Sequence, residues 1–319
     1  MPMNTSAESY KTTPSALHYM LRAFWPSSGW NGQNGFPDLL LSWVGFRIDA
    51  NDFDNLRHFA QHETVERDEW LYILAPHVFG FRLLMVMLTH PCWPLPIWGA
   101  LQVRNRLLLH STFQTGRHFN LVTRVSAWRV LEKGIEVDLY SRMEDGEVCV
   151  WESAVTFYYR GRYGAATERG VALGAPSISP SVNDRSRIAA EWRIDGSMRW
   201  RFGTLTGDYN GLHQSNWYAQ RFGFASAFAH PQRTTVQCLA RLPSPGPTPQ
   251  QLDLWIKGPV FFGSEAILHY SECAEGDGHD FGLRLRPDAR PALVGRWCTT
   301  RGNKGSIIAA HPDSGAMGR

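Results

Sequence analysis

Cysteine is sparse and unpatterned: five residues, at positions 92, 149, 238, 273 and 298, form an odd set with no Cys-x-x-Cys spacing. This argues against a disulfide framework or a zinc site, and reduced intracellular thiols are the expected state. Long runs of one charge sign are also missing. Lys and Arg number 32 against 29 Asp and Glu, a net +3 spread along the chain. No basic stripe for nucleic acid is therefore expected, while a modest basic excess suits a ligand with phosphates. No apolar run reaches the roughly eighteen residues of a membrane span. The longest, at 79–88, is interrupted by Gly80 and Arg82, so no span is expected. The opening residues Met1, Pro2, Met3, Asn4, Thr5 and Ser6 lack the positive and then apolar layout of a secretory signal, and the expected location is the cytoplasm. His-Glu-x-x-His is absent, and Asp208-Tyr209-Asn210-Gly211 starts like a calcium loop whose glycine comes two positions too early. No metal is expected.

What is present is apolar and aromatic mass. The 319 residues are 43% apolar, 19% charged and 13% aromatic, with thirteen tryptophans, enough for a substantial core in two ordinary domains or one large one. Residues 161–186 are rich in Gly, Ala, Ser and Pro and read as a linker between a first half at 16–160 and a second at 187–301. Residues 1–15 and 302–319 read as loose tails. The halves share an order of parts. In the first, His77 opens an apolar helix at 78–88, followed by Pro91, Pro94 and Pro96 and a strand at 99–109. In the second, His230 opens a helix at 234–242, followed by Pro243, Pro245, Pro247 and Pro249 and a strand at 252–261. Strand-like runs then follow at 119–130, 134–143 and 147–160, with a hairpin turn at 144–146, and at 266–273, 281–285 and 292–299, with a turn at 275–278. This is an imperfect duplication of an α+β unit with a helix buried against an antiparallel sheet. Periodicity alone fits more than one such sandwich.

Chemistry concentrates in Thr206-Gly207-Asp208-Tyr209-Asn210-Gly211-Leu212-His213, with His230-Pro231 seventeen residues on. Glycines at 207 and 211 permit a tight corner from which Asp208 and His213 both project. A carboxylate facing a neutral imidazole holds one water and moves protons near pH 7, with Asn210 fixing the loop or a substrate carbonyl. The same residues also read as a cap, Asp208 or Asn210 closing the start of the helix suggested by Leu212, Trp217, Tyr218 and Phe222. Tyr209 lies inside the segment as a pocket-lining candidate, and Arg201, Arg221, Arg233 and Lys257 flank it as candidate phosphate partners. His77, without an acid nearby in sequence, reads as structural.

The run Gly207-Asp208-Tyr209-Asn210-Gly211-Leu212-His213, with Ala219, Phe222-Gly223-Phe224 and Ala229-His230, resembles the signature of the MaoC-like dehydratases, the R-specific enoyl-CoA hydratase group. The resemblance spans about residues 200–241. It implies a double hot-dog fold, two antiparallel sheets each wrapped around a central helix, with the first half lacking the motif and pairing with the second to complete a continuous sheet. It also implies a hydro-lyase that adds or removes water across the 2,3 bond of an acyl thioester. Asp208 and His213 would be catalytic, and Asn210, Tyr209, His230 and Thr234 would meet substrate. Coenzyme A would enter only as part of the substrate, with no separate cofactor, and a homodimer is compatible with the resemblance. Two positions depart from the family pattern. Gly211 replaces a proline, and Pro231 replaces a glycine whose backbone N–H resembles an oxyanion donor. Proline has no N–H, so a neighbouring amide, the Asn210 side chain or the Thr234 hydroxyl must substitute. An unreplaced donor costs roughly 3–4 kcal/mol of transition-state stabilisation. A non-catalytic acyl-thioester binder and a thioesterase are the alternative readings.

Overall fold

The computed structural model describes residues 6–30, 32, 35–61, 68–165, 186–273, 277–288 and 290–300. The chain opens with β1 (Ser6–Tyr10), α1 (Ala16–Arg22), β2 (Leu39–Arg47) and α2 (Ala50–Ala60). Then come α3 (Glu69–Phe79), α4 (Phe81–Leu88), β3 (Ala100–Leu109), β4 (His118–Leu131), β5 (Gly134–Asp145) and β6 (Val148–Arg160). The second half runs β7 (Arg187–Arg193), α5 (Arg199–Thr206), α6 (Gly211–Gln214), α7 (Asn216–Arg221), α8 (Pro231–Leu239), β8 (Gln250–Ile256), β9 (Glu265–Glu272), β10 (Gly278–Leu285) and β11 (Pro291–Thr299). The expected linker at 161–186 is described only at 161–165 and 186, and the expected turn at 275–278 only at 277 and 278. The expected tail at 302–319 lies outside the described residues. In the other tail, Ser6–Tyr10 pairs in parallel with β2 and Ser15 caps α1 by accepting the His18 N–H. That part of the tail is therefore ordered structure.

Among the described residues the strands form one eleven-stranded sheet, ordered β1-β2-β4-β5-β6-β3-β8-β11-β10-β9-β7. The two sheets implied by the resemblance are therefore not distinct: they are the two ends of one continuous sheet. Antiparallel pairing of Arg104–Leu109 in β3 with Gln250–Trp255 in β8 fuses the halves into one. Read inward from each edge, β2-β4-β5-β6-β3 matches β7-β9-β10-β11-β8, so the duplication expressed in the sequence is also a duplication of topology. Strand alternation puts one face inward. Trp151 on β6 points to the helices and donates its indole N–H to the Ile73 carbonyl at 2.9 Å, while the Trp93 indole reaches the Tyr159 hydroxyl at 3.1 Å.

The first central helix begins earlier than residue 78 and is longer than expected. Gly80 does not stop it, because its N–H still donates to the Pro76 carbonyl at 2.9 Å. Arg82 does not expose it, because its guanidinium reaches across to the Thr204 carbonyl at 2.9 Å. Glu69–Leu88 is consequently long and apolar enough to cross a membrane, but it is buried inside the protein, and burial on all sides accounts for its all-round apolarity. The helix ends where the Thr89 hydroxyl bonds back to the Met85 carbonyl, just before Pro91. In the second half, α8 starts at Pro231, three residues ahead of the expected position, and β8 stops at Ile256 before Gly258-Pro259, where a proline would break the ladder. The β5–β6 hairpin turns at Gly146, whose φ of 62° favours glycine.

Gly80 lets β4 approach the central helix. A Cβ there would lie 2.8 Å from Leu121 and 2.5 Å from the Pro76 carbonyl oxygen. Gly80→Ala is expected to destabilise the fold by about 1–3 kcal/mol through overpacking, read as a lower urea midpoint at unchanged slope. A midpoint equal to that of the parent would contradict this packing.

Candidate active site

Helix α5 ends at Gly207, whose φ of 79° lets the chain reverse. No side chain fits there, since a Cβ would meet the Tyr19 hydroxyl at 2.2 Å. That hydroxyl donates to the Gly207 carbonyl at 2.6 Å, so α1 of the first half braces the corner. Asp208 Oδ1 accepts the Asn210 N–H at 3.1 Å, and Asn210 Oδ1 accepts the Leu212 N–H at 3.0 Å. Of the two cap candidates, Asn210 closes α6, while Asp208 keeps Oδ2 turned to His213. Gly211 does not take a left-handed conformation. It is small because Tyr218 lies over it, with the ring 2.6 Å from where a Cβ would be, which replaces the expectation of a loosened turn.

His213, on α6, donates its Nδ1–H to the Phe228 carbonyl at 2.9 Å. This bond fixes the neutral tautomer and leaves the Nε2 lone pair facing Asp208 Oδ2, 4.0 Å away. His230, the N-cap residue of α8, stacks on His213 with ring centroids 4.0 Å apart and donates Nε2–H to the Asp208 carbonyl oxygen at 3.1 Å. Burial pushes the Asp208 carboxyl above the usual carboxylate range, against the opposing pull of His213 and of the Asn210 N–H. Burial pushes His213 below the ordinary imidazole value, with Asp208 and the Phe228 carbonyl acting the other way, and it pushes His230 well below. Asp208, His213 and His230 each offer a ligand-type atom within 4.8 Å of the others. However, the His230 nitrogen nearest Asp208 carries the proton given to the Asp208 carbonyl, and a protonated nitrogen cannot ligate. In this tautomer the trio presents two free ligand atoms, from Asp208 and His213.

Asp208 and His213 open onto a cavity of about 350 Å³ between the halves. Phe81, Met85 and Phe157 supply an apolar wall from the first half, and Asn210, Pro231 and Thr234 lie beside the pair. Two expected pocket residues are not on the wall. His230 is fully buried beneath it as a support for Asp208, and Tyr209, half-buried, is directed elsewhere. Thr234 lines the cavity, but its hydroxyl bonds to the His230 carbonyl. Pro231 occupies the first turn of α8, where a missing N–H is tolerated. The Asn210 amide nitrogen has no hydrogen-bond partner among the described residues. Of the four flanking cations, Lys257 alone lines the cavity. Arg233 is fully buried between the Phe59 and Phe262 rings, Arg201 binds Asn55, and Arg221 stacks on Trp217. His77 is buried away from the cavity, with burial lowering its pKa to about 4. Sequence reasoning missed Tyr19 and Arg82, which lie far from the motif and carry no local signal.

A carboxyl raised by burial favours its protonated form, so in the folded state the charged form is disfavoured once pH exceeds the ordinary carboxylate value of about 3.9. Asp208→Asn is therefore expected to raise the thermal midpoint at pH 7, and this gain should vanish below about pH 4, where both states are protonated. Calorimetry across pH checks it; a midpoint lowered at pH 7 would contradict the burial argument.

No protein-family model matches the chain. It is 25% identical over 229 residues to 3-hydroxyacyl-thioester dehydratase X of Mycobacterium tuberculosis, covering 71% of this chain and 77% of that protein. The crystal structure of HtdX from the same organism superposes with a TM-score of 0.65 at 20% identity, over 82% of this chain and all of the other. A MaoC-like dehydratase from Phytophthora capsici gives a TM-score of 0.68 at 14% identity, over 84% of this chain and 96% of the other. The chain thus shares the hot-dog fold of these dehydratases and is similar in sequence to one of them.

Proposed function

We propose that the protein is a hydro-lyase that interconverts a 2,3-enoyl thioester and its 3-hydroxyacyl thioester, with Asp208 and His213 as the catalytic pair. The observation that carries this reading is their convergence on one cavity at 4.0 Å, too far for a direct hydrogen bond and close enough for both to contact a single water. The relationship to 3-hydroxyacyl-thioester dehydratase X supports the substrate class. The two-half organisation at 16–160 and 187–301 belongs to the same proposal, with the first half supplying the acyl wall and the second the chemistry.

In hydration, water sits between Asp208 Oδ2 and His213 Nε2. Its oxygen bonds to C3 as one of its protons passes to the pair, and the pair returns one proton to C2. The pair thus ends in the protonation state in which it began, and dehydration is the reverse. Neutral His213, locked by the Phe228 carbonyl, presents a lone pair as acceptor, and burial of Asp208 brings its proton affinity closer to that of the imidazole, which favours exchange near neutral pH. Charge developing on the thioester oxygen needs donors aimed at it. Pro231 offers none, and the Asn210 amide, whose oxygen is occupied in capping α6, is the group we assign to it. Lys257, exposed at the cavity wall, suits the phosphates of a carrier such as coenzyme A.

Asp208→Asn and His213→Ala are each expected to lower kcat for enoyl-thioester hydration by about 10²–10⁴-fold, followed by loss of enoyl absorbance and by mass spectrometry. Product gaining the mass of water supports the proposal. Release of free thiol would reveal a thioesterase, binding without turnover would reveal a non-catalytic binder, and unchanged kcat in both variants would reject the assigned pair.

A further inference from the structure

Outside the catalytic cavity, one cluster combines a thiol, an imidazole and a buried carboxylate. His110, just past the end of β3, places Nε2 2.7 Å from Glu152 Oε1. Cys149, at the start of β6, completes a trio in which one ligand-type atom from each residue lies within 4.8 Å of the others. None of the three lines the catalytic cavity. In a regular strand, residues three apart face opposite sides of the sheet. Here Met143 pairs with Trp151 while Glu144 pairs with Cys149, so Val150 is an extra residue in β6. The His110 N–H caps this bulge by donating to the Val150 carbonyl at 2.9 Å. The bulge turns Cys149 onto the face that carries Glu152, opposite Trp151. Bulges of this kind recur where a side chain must be re-aimed at a site.

We propose that His110, Cys149 and Glu152 form a binding site for a divalent transition metal, with zinc as the ion the donor set fits best. Thiolate, imidazole and carboxylate are the ligand types zinc accepts, and three protein ligands with a water in the fourth position satisfy its tetrahedral preference. Zinc at its usual bond lengths holds ligand atoms about 3.3–3.8 Å apart, so a small closure of the trio suffices, with the ion replacing the proton now shared by His110 and Glu152. Glu152 is fully buried, and its second oxygen accepts the Tyr140 hydroxyl at 2.7 Å, the outer support that orients a ligating carboxylate. His110 and Cys149 are half-buried and leave a path for the ion. Because the thiol and imidazole must lose protons to ligate, affinity rises with pH.

The test uses the full chain freed of metal by chelator and titrated with Co²⁺ as a spectroscopic substitute. The expected result is a thiolate-to-cobalt charge-transfer band that is displaced by Zn²⁺ and absent in Cys149→Ser. The Asp208 region cannot produce this band because it holds no sulfur ligand. Tyr140→Phe should weaken binding about tenfold. In the unaltered protein, Zn²⁺ should slow iodoacetamide modification of Cys149 while leaving exposed Cys92 unaffected. No band, a band that survives in Cys149→Ser, or Cys149 alkylation at the same rate with and without Zn²⁺ would each overturn the proposal.

Discussion

The hydrogen bond from the His230 imidazole to the Asp208 carbonyl oxygen is the constraint on which the rest of the site depends. It ties the N-cap residue of α8 to the corner that follows α5. His230 has no exposure at all and burial favours its neutral form, in which Nε2–H is given to the Asp208 carbonyl oxygen. Its ring then serves as the stacking surface for His213. One buried imidazole thus holds the backbone beside the carboxylate and stacks on the second imidazole, so the proposed pair takes its geometry in part from a residue that does not line the cavity.

The duplication is imperfect in a way that suits the division of roles proposed for the two halves. The two halves share strand order, and each buries a helix, but the first has a twenty-residue apolar span where the second has the nine-residue α8 preceded by loops. The longer helix fills the first half and contributes an apolar wall, while the shorter one leaves room for α5, α6 and the acid-bearing corner. The halves are also joined outside the sheet. Tyr19 holds the Gly207 carbonyl and Arg82 holds the Thr204 carbonyl, so the half without a motif fixes the backbone on which the motif stands. Burial of a carboxyl against its solvation preference is the cost of this arrangement, and the same burial brings its proton affinity toward that of the neighbouring imidazole.

What was legible in the sequence follows the range over which sequence patterns act. The Asp208–His213 pair is local, a single glycine-flanked corner, so it stood out as a segment, although spacing left a cap as an equal reading until the resemblance was drawn. The strands at 99–109, 119–130 and 134–143 were legible because alternation and turn residues are local too. The misplacements have local competitors. Gly80 and Arg82 read as interruptions of an apolar run, whereas Leu121 needs the first to be small and the Thr204 carbonyl takes up the second. Gly211 read as a turn residue, yet the ring of Tyr218 requires it. His230 read as a substrate contact and proved to be a support, because which side of a helix start faces the cavity is decided by the partner strand and loop. The joining of two sheets into one, the braces from Tyr19 and Arg82, and the meeting of His110 with Cys149 across a bulge depend on pairing between distant segments, which no spacing rule within one segment encodes.

The most direct test of the central claim, that Asp208 and His213 face one water-binding point in an acyl-thioester cavity, is a crystal structure with a non-hydratable enoyl-thioester analogue. The account predicts C3 beside the gap between Asp208 Oδ2 and His213 Nε2, the acyl chain against Phe81 and Met85, and the thioester oxygen near the Asn210 amide. An analogue bound with its C2–C3 bond remote from both side chains, or excluded from the cavity, would contradict it.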